Sequence, residues 1–123
     1  MKPWIGVDLD GTLAYHDPTI PFDVLSIGRP IPTMVARVKS WVAEGHTVKV
    51  FTARVAEPDR QTRRSIIIAI QDWCEREAEL PRLSVTCIKD YGMLSLWDDR
   101  AVHVVTNTGH GIGKCLATGY AQY

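Results

Sequence analysis

The chain has 123 residues, 46% of them hydrophobic, and its 14 Lys and Arg balance its 14 Asp and Glu. That length holds one domain with a real core, burying roughly two-thirds of the unfolded chain's surface; the charge balance excludes an overall field steering it to nucleic acid or membrane. No window approaches the roughly 20 apolar residues of a membrane span, and the N-terminal residues lack a secretory pattern. Cys74, Cys87 and Cys115 form no CxxC pair, so reduced thiols in a cytoplasmic protein are expected rather than a disulfide or zinc framework.

Trp4 to Val7 is an apolar run that stops at the polar turn Asp8-Leu9-Asp10-Gly11, the pattern of a buried strand. Residues 14–30 carry Pro18, Pro21, Gly28 and Pro30 without periodicity and read as an irregular loop. Ile31, Met34, Val35, Val38, Trp41 and Val42 then recur at helical spacing, with Gly45 as the stop. Thr47 to Phe51 is β-branched and aromatic enough for a second strand, closed by Thr52, Ala53 and Arg54. Pro58 and Asp59 open a second helix whose stripe is Ile66, Ile67, Ile70, Trp73 and Cys74. Leu83 to Ile88 makes a third strand ending at Lys89, and Met93 to Trp97 a fourth ending at Asp98 and Asp99. Too few residues follow Asp99 for a parallel crossover, so Val102 to Val105 is an edge extension or a strand that does not pair in parallel. The tail, 106–123, reads as a loose end with one helical turn.

This alternation predicts an α/β fold: a single Rossmann-like domain whose mostly parallel sheet carries helices on both faces, with its core at about 3–105. In such sheets ligands bind beyond the carboxyl ends of the strands. Each strand ends there in a chemically capable residue: Asp8 and Asp10, then Thr52, Lys89, and Asp98 with Asp99.

Phosphoryl transfer through a covalent intermediate needs an oxygen nucleophile, a proton donor for the leaving group, a metal and fixed cations. In a strand, the spacing of Asp8 and Asp10 puts both carboxylates on one side, and Gly11 lets the backbone approach a phosphate. Val7-Asp8-Leu9-Asp10-Gly11-Thr12-Leu13 resembles the first motif of the haloacid dehalogenase superfamily. Phe51-Thr52-Ala53-Arg54 resembles its second, Lys89 its third, and Leu96-Trp97-Asp98-Asp99-Arg100-Ala101 its fourth, over about residues 4–101.

The resemblance implies a Mg²⁺-dependent phosphohydrolase. Asp8 would be the nucleophile that forms an aspartyl phosphate, and Asp10 the group that protonates the leaving oxygen and then deprotonates water. Thr52 and Lys89 would steady the phosphoryl group. Gly11, Thr12, Thr52, Ala53, Arg54 and Lys89 would line the substrate site; Asp8, Asp98, Asp99 and the backbone carbonyl of Asp10 would hold Mg²⁺. Members with small substrates often carry a cap domain, yet neither 14–30 nor 55–81 has room for one. An uncapped cleft implies a nucleotide, a polynucleotide end or another phosphorylated small molecule, or a cover lent by a homo-oligomer partner.

Plainer roles compete. Arg54, Arg60, Arg63 and Arg64 read as a solvated helix face before they read as a basic rim for nucleic acid. Tyr15 and His16 are within reach of a leaving group but read as ordinary loop side chains, and Trp41 and Trp73 as core. Two other functions remain: a phosphate-binding module without turnover, and a signalling receiver domain. Receivers place the acidic pair on the first strand and the acceptor on the third, whereas here the third ends in Lys89.

Overall fold

A computed structural model describes residues 2–120 of the chain; Met1 and the last three residues of the expected tail lie outside it. The four apolar runs become β1 (Trp4–Val7), β2 (Val48–Phe51), β3 (Ser84–Thr86) and β4 (Met93–Trp97). They form one sheet in the order β3-β2-β1-β4, every pairing parallel. Parallel neighbours need crossovers, and two helices supply them: α1 (Pro32–Ala43) between β1 and β2, and α2 (Arg60–Arg76) between β2 and β3.

Both helices are bounded by residues suited to the place. Pro32 occupies the first turn of α1, where its missing N–H costs nothing. At the far end Gly45 takes φ +91°; its N–H donates to the carbonyl of Val42, and that of His46 to Trp41, both closing orphan carbonyls. Asp59 caps α2 by accepting from the Thr62 amide at 2.8 Å.

The steps from β1 to β2 and from β2 to β3 run the same way across the sheet, so right-handed crossovers put both helices on one face. Burial agrees: Met34, Val35 and Val38 of α1, Ile66, Ile70, Trp73 and Cys74 of α2, and Val7, Val48 and Val50 of the sheet belong to one core. The expectation of helices on both faces is therefore corrected. From β3 to β4 only residues 87–92 intervene, too few for a helix, and they cross the second face as extended chain. There Trp4 is buried beneath them, its indole N–H donating to Asp90 at 2.8 Å and its ring lying 4.7 Å from the Lys49 ammonium.

Two further expectations change. The third strand ends at Thr86 rather than Ile88, so Lys89 belongs to the crossover. In place of a loose tail with a helical turn there are short antiparallel pairs: β5 (His103–Val104) with β6 (Gly111–Ile112), and β7 (Lys114–Cys115) with β8 (Gly119–Tyr120). Val102 to Val105 thus contributes to an antiparallel pair outside the main sheet. The three cysteines are free thiols, and no helix among the described residues is long and apolar enough to cross a membrane.

Candidate functional site

Strand register gathers the first group of acids. Val7 pairs with Trp97 across the two central strands, and the Asp8 amide donates to the Trp97 carbonyl at 2.8 Å. Asp8 and Asp98 follow immediately, on strands whose spacing is about 4.8 Å. With Asp99 they bring one carboxylate oxygen each within 4.8 Å of one another. The turn after β1 completes the cluster. The Leu9 carbonyl accepts from the amides of Thr12, Leu13 and Ala14, curling the chain so that Thr12 faces Asp99. The Thr12 hydroxyl lies 3.5 Å from Asp8 and 3.3 Å from Asp99, and accepts the Asp99 amide at 3.1 Å. Thr12, expected at the substrate, bridges two acids instead.

Gly11 is required here twice over. Its φ is +88°, and a Cβ would sit 2.5 Å from a carboxylate oxygen of Asp99.

Negative charge on Asp98 and Asp99 disfavours the ionised form of Asp8. Asp8 shows the strain: its carboxyl is pushed up to about 7, chiefly by burial, then by the negative charge of Asp98 and by a hydrogen bond to Asp99 together with its charge. The Leu9 amide works in the other direction and does not offset them.

Asp10 goes elsewhere. Its two oxygens accept from Arg54 Nε and Nη2, both at 2.7 Å, in a two-pronged ion pair. The chain leaves the strand at Val7, so the two-residue alternation does not extend to Asp8 and Asp10. Arg54 is itself buried, its side chain 5% exposed. Beyond Asp10 it donates to the backbone carbonyls of Asp23 (3.3 Å), Val24 (2.8 Å) and Ser26 (3.1 Å). All five guanidinium N–H groups are thereby engaged, which leaves none for the phosphate contact expected of it.

Of the remaining expected residues, Thr52 and Ala53 follow the end of β2, the neighbour of β1, and Lys89 lies on the crossover. Thr52 closes β2, is buried at 2% exposure and accepts the Arg54 amide on its hydroxyl at 3.2 Å, capping a short 3₁₀ turn over Ala53–Val55. Ala53 is exposed on that turn. Lys89 is exposed on the crossover; no hydrogen bond or ion pair among the described residues joins it to the acids. Its neighbour Asp90 is held to Trp4, at the end of β1 opposite Asp8. The four arginines do not make one rim either: Arg54 is buried, Arg60 and Arg64 are exposed, and Arg63 donates to the Glu57 carbonyl.

Sequence reasoning did not find the cleft beside Asp10. Residues 15–29 fold over Arg54 and enclose about 440 Å³, lined by Tyr15, Phe22, Asp23 and Arg29 among others. Tyr15 and His16 line it too, beyond the ordinary loop role expected. Nothing in a segment without periodicity signals such a cleft; the nearest hint is a cluster of aromatic and apolar residues between prolines, Tyr15, Ile20 and Phe22.

Neither a protein-family model nor a curated protein matches the chain. Among solved structures, a conserved protein from Bacteroides thetaiotaomicron is similar, with a TM-score of 0.51 over 87% of this chain and 84% of that one at 20% identity. Likeness at that level speaks to fold alone, and the fold it supports is a small α/β unit built on a four-stranded parallel sheet.

Proposed function

We propose that the protein is a Mg²⁺-dependent phosphohydrolase that works through an aspartyl phosphate on Asp8, with a nucleotide, polynucleotide end or other phosphomonoester as substrate. One observation supports this reading: the nucleophile candidate stands with two further carboxylates at the ends of the two central strands, with no ion pair to a basic side chain among the described residues. A donor set of carboxylate oxygens is what a hard divalent cation takes, and its charge would offset the burial and the repulsion that hold Asp8 near 7. Asp8, Asp98 and Asp99 would hold the ion, which supplies charge neutralisation for the phosphoryl group.

The chain's own part runs in two steps. A carboxylate oxygen of Asp8 bonds to phosphorus while the bond to the leaving alcohol breaks and the departing oxygen takes a proton from solvent, which Asp10 returns in the second step. Water then attacks the aspartyl phosphate, releasing inorganic phosphate and restoring Asp8, and Asp10 takes the proton that water sheds. Both Asp10 oxygens already accept from Arg54. That same feature favours a second reading, phosphate binding without turnover.

Turnover of p-nitrophenyl phosphate decides between them. Hydrolysis that needs Mg²⁺ and falls to background in Asp8→Asn supports the enzyme. Absence of hydrolysis in the native protein, or activity that survives the substitution, sinks it.

A further inference from the structure

Asp10 lines the cleft under residues 15–29 and lies two residues from Asp8 in the chain. We propose that this cleft is the subsite for the organic part of a phosphomonoester, and that it selects a planar aromatic group bearing no second phosphate. The proposal rests on the phosphohydrolase reading of Asp8 only for the place of the phosphate; the subsite stands on its own residues.

Three observations carry it. The first is construction. A loop without periodicity would ordinarily be mobile, but here the buried Arg54 grips three of its carbonyls, and the Trp73 indole donates to a fourth, that of Gly28, at 2.9 Å. The space is thus formed before a ligand arrives, and about 440 Å³ is within the usual range of small-molecule sites.

The second is the wall. Tyr15 and Phe22 stand 47% and 64% exposed, and Ile20 63%. Apolar side chains kept in water on a tethered loop around a cleft mark a contact surface. The two rings are steadied by guanidinium groups, Arg29 at 4.2 Å from the Tyr15 centroid and Arg54 at 4.8 Å from that of Phe22. Rings held in place but exposed suit stacking on a flat partner.

The third is charge. Asp10, Asp17 and Asp23 line the cleft. Asp10 and Arg54 balance each other as a pair, which leaves Asp17 and Asp23 against one guanidinium, that of Arg29, and the imidazole of His16. A ligand that brought a second phosphate into this space would meet two carboxylates and a single guanidinium. A neutral base with amino groups would instead find acceptors.

Calorimetric titration of the full chain with Mg²⁺ tests this, using adenosine monophosphate, adenosine diphosphate and ribose 5-phosphate. Base stacking predicts that the monophosphate binds on the order of 10-fold tighter than ribose 5-phosphate, and tighter than the diphosphate. In the double variant Tyr15→Ala, Phe22→Ala the ratio of monophosphate to ribose 5-phosphate affinity should fall toward one. Equal affinities in the native protein overturn the subsite whether or not the variant folds, and tighter diphosphate binding overturns its charge selectivity. Selective binding without hydrolysis of p-nitrophenyl phosphate would leave the subsite standing and remove the enzyme reading. Asp8-dependent hydrolysis with no selectivity would do the reverse.

Discussion

Asp8 and Asp10 leave the same strand two residues apart and end in opposite company. Asp8 sits with Asp98 and Asp99, three acids that no ion pair among the described residues balances. Asp10 sits in the two-pronged grip of a buried arginine that also ties down the following loop. The second arrangement is complete as folded; the first is charge-deficient by design of the register and wants something from outside. A charge balanced by the fold needs no outside cation, and a charge the fold leaves unbalanced is where a cation belongs. This contrast predicts opposite responses when each side is perturbed.

The largest effect falls on the balanced side. Arg54→Ala strands Asp10 and three carbonyls, and since Asp10 is partly solvated the loss should be near the low end for a broken buried pair, about 3 kcal/mol. Urea unfolding measures it. Arg54→Lys should recover little, because an ammonium cannot make the two-pronged contact. Stability within about 0.5 kcal/mol of native, the usual range for a surface change, would mean the clasp is ornamental and the contrast false.

On the unbalanced side the sign reverses with pH. The folded state holds the Asp8 carboxyl near 7, above its ordinary 3.8. Below about pH 4 both folded and unfolded chains are protonated there and nothing is lost. As pH rises through 7 the folded chain must give up a proton the unfolded chain has already shed, so this site's stability contribution disappears. The Tm of the metal-free protein should therefore fall between pH 5.5 and 8, with Mg²⁺ restoring more at pH 8 than at 5.5. A Mg²⁺ concentration 100-fold above Kd should add about 2.7 kcal/mol. Asp98→Asn should shrink both effects, and contributions shared by the two proteins cancel. Asp17, Asp59, Asp72 and Asp90, whose hydrogen bonds hold them below the ordinary carboxylate range, act only at lower pH. An equal Mg²⁺ shift at both pH values would contradict the cluster as a cation site.

The two sides also differ in how far they could be read in the sequence. Asp8, Asp98 and Asp99 each follow an apolar run, and once those runs pair in parallel, their ends must meet. The helix stripes and Gly45 were equally legible, being local patterns. Asp10 and Arg54 are 44 residues apart and meet through the path of a turn and a 3₁₀ segment that no periodicity describes. An arginine two places past a strand end looks the same whether it faces a phosphate or an aspartate. The shape of residues 15–29 is imposed from outside by Arg54, so their own composition could not reveal the cleft. The bare second face had a visible cause, the short span between β3 and β4, but recognising it required the strand order.

The smallest expected effect tests a residue on neither side. Lys89 was expected to neutralise the phosphoryl group, a role whose loss costs about 100-fold or more in turnover. The crossover carrying it is anchored beside it, Asp90 accepting from both the Trp4 indole and the Gly92 amide at 2.8 Å, and that anchor lies at the amino end of β1. Lys89 is exposed, and no hydrogen bond or ion pair among the described residues aims it at the acids. Lys89→Ala should then cost p-nitrophenyl phosphate turnover less than about tenfold, the effect of a distant positive charge screened by water. A loss of 100-fold with unchanged Tm would instead mean that residues 87–92 swing toward the acids when substrate binds, making the uncovered face of the sheet a moving part of the site.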